Sequence, residues 1–453
     1  MKKRTVGTVL AALLSMALCA GCGGEAAVNR IDMLREESVQ DTGNGTVSGI
    51  EQDTGGSMDS GSEQGARDNT EKGNVEMAEY DEAQLRKGYI DYSIELLKES
   101  VTDEVNSMIS PLSVMMAMDM AAAGAKGSTQ DQITQMFCPG ASQAQIESYL
   151  SNLMERYQAN EDVELHIANS IWINDGFAEE IKTEYLDRAN QVFYATARVL
   201  PFDNAAVDEI NGWVDKNTNG MITRLLDSLQ PDEVLCLLNA TAVEAPWAKP
   251  YEDAQVWEDD FTDVAGLTQS VEMMHGTEED YFETEDAVGF LKYYVGGEYG
   301  FLAILPKEGM TVEEYLAGMT GESYREFYDT GTGEYKVHTM MPKFTYEYEL
   351  PMNDVLYTLG VKDAFDYNLA DFSGIASPNE GNLYIDLVLH KTFIEVGQYE
   401  TKAAAATVVT MRNLAMPIEE EYREVYLNRP FIYAIIDTET GAPIFMGTLQ
   451  SVQ

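Results

Sequence analysis

Few side chains in this chain could do covalent chemistry, and their spacing does not favour it. Among 453 residues there are four histidines, His166, His275, His338 and His390. None lies in a His-Glu-x-x-His pattern, and neither a Gly-x-Ser-x-Gly elbow nor a phosphate-cradling glycine loop is present. Ser110 paired with His390 would suggest a nucleophile and its base, a design that also needs an acid to orient the imidazole. The sequence shows no such acid. Ser110 precedes Pro111 at the start of an apolar window, a position suited to capping a helix. Acidic pairs occur throughout, but 77 Asp and Glu against 29 Lys and Arg make most of them solvated surface charges. The sequence predicts no active site, no metal site and no cofactor.

The chemistry on offer is mechanical. Thr401-Lys402-Ala403-Ala404-Ala405-Ala406-Thr407-Val408-Val409 combines the best helix former with β-branched residues that favour strands. It follows a strand-like segment, 383–396. A run this small and ambivalent suits a loop in one state and a buried strand in another, which makes it a device for storing energy. In an inserted strand alternate side chains share a face. With Thr401 turned inward, that face carries Ala403, Ala405, Thr407 and Val409, all small or β-branched, while Lys402 points to solvent.

The elements that must position this run begin near residue 81. Before it, Lys2, Lys3 and Arg4 and the apolar stretch 6–20 read as an export signal, too short for a comfortable membrane span. The small residues before Cys22 resemble a bacterial lipoprotein box, so residues 1–21 are expected to be removed and Cys22 lipidated. Residues 22–80 are acidic and rich in Gly and Ser, lack apolar periodicity, and read as a disordered tether. Of the four cysteines, Cys138 and Cys236 then remain, expected as buried free thiols. The net charge of −48 excludes nucleic acid as a partner. It is expected to speed encounter with basic proteins at low salt.

Residues 81–453 read as one α+β domain, with helices early and strands late. Leu85, Tyr89, Tyr92, Leu96 and Leu97 share a helical face, and 113–123 is a strongly apolar helix closed by Gly124 and Gly127. Further helices are expected at 181–193, 207–226 and 351–359. Strands are expected at 165–173, 234–245, 299–305, 336–348, 383–396 and 431–437.

A series of short motifs runs through this domain in order. Asn106-Ser-Met-Ile-Ser110-Pro111-Leu-Ser113 leads to Gly124-Ala-Lys-Gly127. Asn169-Ser-Ile-Trp172, Asn211-Gly-Trp213, Leu238-Asn239-Ala240 with Trp247, and Met341-Pro342-Lys343-Phe344 follow. His390-Lys391-Thr-Phe393, Asn428-Arg429-Pro430-Phe431 and Ile444-Phe445-Met446-Gly447 complete it. Together they resemble the serpin family. The resemblance implies a multi-helix domain with three β-sheets, a large central sheet and an exposed reactive-centre loop. It implies no enzyme but a monomeric, suicide-type inhibitor of serine endopeptidases, trapping the protease as its cleaved loop inserts into the sheet. Ser110, Ser113, Asn239 and His390 match the family's shutter, and Trp247 matches its breach.

Two positions depart from the inhibitory pattern. Gln398 stands where inhibitory members usually have Glu, and Glu400 stands where they have Gly, whose backbone freedom eases bending. The alternative is therefore a serpin-fold protein that is cleaved as a substrate or acts as a binder. Family spacing from Thr401 puts the scissile bond at Leu414-Ala415, which suits elastase-like, chymotrypsin-like or subtilisin-like proteases. A register slip to Arg412-Asn413 suits a trypsin-like one, and Met411-Arg412 is a third possibility. The expected location is the bacterial cell membrane, with the domain facing the extracellular space or periplasm.

Overall fold

A helix of the expected amphipathic type opens the domain. The computed structural model describes residues 81–102, 105–160, 163–192, 196–230, 233, 235–377, 382–401 and 421–452. Helix α1 (Glu82–Ser100) begins at a capping box between Asp81 and Gln84 and buries Leu85, Tyr89, Tyr92, Leu96 and Leu97. Helix α2 (Pro111–Gly124) is apolar around its circumference and buried at every position except Ala123, as an interior helix must be. Helices α3 (Gly127–Phe137) and α4 (Gln143–Ala159) pack beside it.

Sixteen strands form three sheets among the described residues. The central sheet runs β11 (Phe344–Pro351), β12 (Val388–Val396), β13 (Glu400–Thr401), β4 (Leu235–Pro246), β2 (Glu164–Asn174), β3 (Thr196–Leu200). A second sheet runs β1 (Ser107–Ile109), β16 (Pro443–Leu449), β15 (Phe431–Asp437), β9 (Tyr299–Pro306), β8 (Ala287–Tyr293), β7 (Asp280–Glu283). The third holds β14 (Tyr422–Tyr426), β10 (Lys336–Pro342), β6 (Thr268–Glu278) and β5 (Val256–Thr262). The main core fills the space between the sheets and α1–α4. A second cluster, including Trp172, Ile210, Val214, Leu238 and Leu389, lies where the helix Asn204–Asn217 covers the central sheet. No helix of the described residues is long and apolar enough to cross a membrane.

Three expected elements differ. The strand window 336–348 is two strands in different sheets, because the chain changes sheet at Lys343, whose N–H bonds Glu272 of the third sheet. The helix expected to reach 226 ends at Asn217. Thr218 turns its hydroxyl back to the Val214 carbonyl, and Asn219 and Gly220 adopt left-handed backbone at φ 52° and 76°. The strand expected from 383 begins only at Val388.

Candidate functional site

The seam of the central sheet lies between β4 and β12. These strands pair in parallel from Val388↔Leu237 to Phe393↔Ala242 and then part. Into the gap comes β13, with Thr401 paired to Val396 on one side and to Ala245 on the other. Thr401 is fully buried and Glu400 nearly so. Glu400 is ordinary strand: the left-handed backbone that favours glycine is not used there.

Aromatic rings and their hydrogen bonds hold the bend before β13. Trp247 donates its indole N–H to the Gly397 carbonyl at 2.9 Å and its backbone N–H to Tyr399 at 3.0 Å. Its ring stacks on Tyr294 with centroids 4.6 Å apart, and the Tyr294 and Thr401 hydroxyls are hydrogen-bonded at 2.8 Å. Gln398 is pinned as well. Its side-chain amide donates to the Tyr251 carbonyl and to Asp253, and its own carbonyl accepts from the Tyr251 N–H. Beneath the rings lies a buried ion pair, Lys292–Glu278 at 2.8 Å, with the ammonium 4.2 Å from the Tyr251 ring centre.

Lower on the seam, four of the residues singled out by sequence meet. Ser110 caps α2 by accepting from the Ser113 N–H and donates its hydroxyl proton to the Ile444 carbonyl. His390 Nε2 accepts from the Ser110 backbone N–H at 3.0 Å, which leaves the proton on Nδ1, 3.1 Å from Asn239 Oδ1. Asn239 donates onward to Asn169 and accepts from Ser113, whose hydroxyl also meets Thr241. The imidazole therefore addresses a backbone amide rather than a serine hydroxyl, which removes the nucleophile reading. Trp247, Gln398, Glu400 and Thr401 converge at the head of the seam. Cys22, Ala403, Ala404, Ala405, Ala406, Thr407, Arg412, Asn413, Leu414 and Ala415 lie outside the described residues.

The profile described as "Serpin (serine protease inhibitor)" matches residues 87–452. The chain belongs to the serpin family. A serpin-like protein of Thermococcus kodakarensis, itself uncharacterised, is 33% identical over 366 residues, covering 80% of this chain and 84% of that protein. The thermophilic serpin tengpin in its native state superimposes with a TM-score of 0.77 at 40% identity, over 83% of this chain and 96% of that one. Tengpin in its latent state gives 0.72 at 37% identity, over 83% and 100%. The serpin fold, with helices and three sheets, is thus as expected, and the family is one of protease inhibitors rather than enzymes.

Thr241, Asn169, Tyr294 and the Lys292–Glu278 pair escaped the sequence reading. Only Asn169 carried a signal, as part of a family motif. The thiols of Cys138 and Cys236 are buried and free, and burial raises both pKa values, that of Cys236 to about 12. Neither is a reactive nucleophile at neutral pH.

Burial lowers the His390 pKa to about 3. Its depressed folded-state value means the unfolded chain takes up the proton first. The stability it contributes is present above about pH 6.5, the ordinary value, and is lost as pH falls toward 3. The unfolding free energy should drop by about 1.4 kcal/mol per pH unit in this window from His390 alone. Denaturant unfolding at pH 6.5 and 5.0 tests this. The His390→Gln variant should lose that part of the slope, and an unchanged slope would refute the assignment.

Proposed function

We propose that this serpin inhibits serine endopeptidases by inserting its cleaved loop between β4 and β12. The observation that carries the reading is the double pairing of Thr401, already bonded in register to both strands. Continued one residue at a time, that register sets Ala403 against Val243, Ala405 against Thr241, and Thr407 between Asn239 and His390. Lys402, the hinge cation, would fall opposite Glu244. Every inward side chain is small enough for a closed sheet, and insertion must break the parallel β4–β12 pairing from Phe393↔Ala242 downward together with the Asn239–His390 side-chain bond. Lys402 and Ala403 would fill the open head of the seam. From Ala404 onward each inserted residue would exchange one β4–β12 pairing for pairings on both of its edges, a net gain of backbone hydrogen bonds that runs the reaction downhill.

The target reading follows the loop: Leu414-Ala415 suits elastase-like, chymotrypsin-like or subtilisin-like proteases. Lipid at Cys22 would anchor the inhibitor to the bacterial cell membrane, with the domain facing the extracellular space or periplasm. A single acyl chain holds weakly, so this reading requires several. Mixing the protein with an elastase-like and a trypsin-like protease tests the proposal. The expected product with the first is a complex that survives denaturation, with a released peptide beginning at Ala415. A peptide beginning at Asn413 moves the bond to Arg412 and the target to the trypsin-like class. Cleavage without any complex favours the substrate or binder reading, for which the departures Gln398 and Glu400 speak.

A further inference from the structure

Glu164 and His166 are two residues apart on β2, so their side chains leave the same face of the sheet. Glu244 on β4 is the direct cross-strand partner of Glu164. The three side chains converge. His166 Nε2 lies 3.5 Å from a Glu164 oxygen and 4.0 Å from a Glu244 oxygen, and one ligand atom from each residue falls within 4.8 Å of the others.

Two carboxylates set directly opposite one another on neighbouring strands repel. A divalent cation between them cancels their charge and turns the repulsion into a bridge. Zinc binds imidazole nitrogen and carboxylate oxygen at about 2.0–2.2 Å, so two ligand atoms of a tetrahedral site stand about 3.4 Å apart. The observed spacings need only small side-chain adjustments to reach that value. Magnesium and calcium prefer all-oxygen sets, whereas the imidazole selects zinc and its neighbours in the transition series.

Glu244 is also oriented from outside the cluster. The Asn219 side-chain amide donates to its Oε1 at 3.0 Å, and the contact to His166 is made by the other oxygen, Oε2. Outer partners of this kind aim a metal ligand. Asn219 is the non-glycine residue with positive φ among those described, at 52°, and Asn is one of the few side chains that accept this backbone. Glu164 and Glu244 keep some exposure while His166 Nε2 is itself shielded, so an ion would enter from the carboxylate side of the cluster.

We propose that Glu164, His166 and Glu244 form a zinc site that bridges β2 and β4, with a fourth position left to water. Ala245, the next residue of β4, is the one that pairs with Thr401, so the bridge lies beside the head of the seam. The site stands independently of which protease the loop traps.

The test uses the full chain, stripped with a chelator, then titrated with zinc by calorimetry and with cobalt by visible absorption. One ion should bind, with a tetrahedral cobalt spectrum, and excess magnesium or calcium should not displace it. Glu164→Gln, His166→Ala and Glu244→Gln should each weaken binding by at least about tenfold with unchanged circular dichroism, and Asn219→Ala by about tenfold. Glu164→Gln is isosteric and mostly solvent-facing, so its effect is not a folding defect. Absence of uptake by the wild-type chain would overturn the proposal. So would zinc affinity unaltered in folded Glu164→Gln and His166→Ala, which would assign the ion to other acidic side chains.

Discussion

Replacing Thr401 by arginine should leave the loop cleavable and abolish trapping. Thr401 is fully buried, paired on both sides, and hydrogen-bonded through its hydroxyl to Tyr294. An arginine there would have to bring its guanidinium against the Trp247–Tyr294 stack, beneath which the Glu278 carboxylate is already taken by Lys292. An unpaired buried charge costs several kcal/mol. The uncleaved chain would escape that cost by peeling β13 out of the gap, so the charge must be buried again when the loop enters. If about 3 kcal/mol of it falls on that barrier, insertion slows about 100-fold. On the proposed mechanism trapping is a race between insertion and deacylation, so a 100-fold handicap diverts nearly every encounter to simple hydrolysis. Denaturing gels should show the cleaved Thr401→Arg chain and free protease, while Thr401→Val, which keeps the shape and gives up only one hydrogen bond, retains most of the complex. Equal complex yields from wild type and Thr401→Arg would mean that Thr401 is not the leading residue of insertion.

That expectation was legible in the sequence because alternation along a strand needs no partner to be read. Thr401, Ala403, Ala405 and Thr407 form a small-residue face in any sheet that accepts them. The meeting of Ser110, Ser113, Asn239 and His390 was legible for a different reason: they sit in short motifs whose order is distinctive, although nothing local says that they touch. The tautomer of His390 could not be read at all, because it depends on which groups its two nitrogens meet across the sheet.

Other features were hidden by long-range pairing. Glu164 and Glu244 face each other only through the β2–β4 register. Composition pointed the other way, since in so acidic a chain any single carboxylate reads as a surface charge. The window 336–348 kept a strand-like texture across Lys343, and texture alone does not reveal a change of sheet. Glu400 stands where inhibitory members have glycine, whose backbone freedom eases bending. The structure has Glu400 extended, so the bend lies earlier, at Gly397–Tyr399, where Trp247 and Tyr251 hold the chain.

The second large effect is expected at Lys292. This ammonium is almost completely buried, donates to Glu278 and to the Lys249 carbonyl, and lies against the rings of Trp247 and Tyr251. Burial draws its pKa below the ordinary lysine value and raises that of Glu278, while their mutual attraction opposes both shifts. Lys292→Met fills the volume but strands Glu278 in the interior, and breaking such a pair on one side costs about 3–5 kcal/mol. Because Trp247 and Tyr251 hold Gly397 and Gln398, the loss should also loosen the head of the seam. The variant should unfold at lower denaturant and incorporate its intact loop more readily on warming, a change read as lost inhibition without cleavage. Combining Lys292→Met with Glu278→Leu removes both charges, and paired apolar replacements of buried ion pairs are often neutral in stability. Restored stability in the double variant would assign the defect to the stranded carboxylate. A double variant as weak as Lys292→Met alone would instead assign it to the ammonium's contacts with the two rings, which hold the bend before β13.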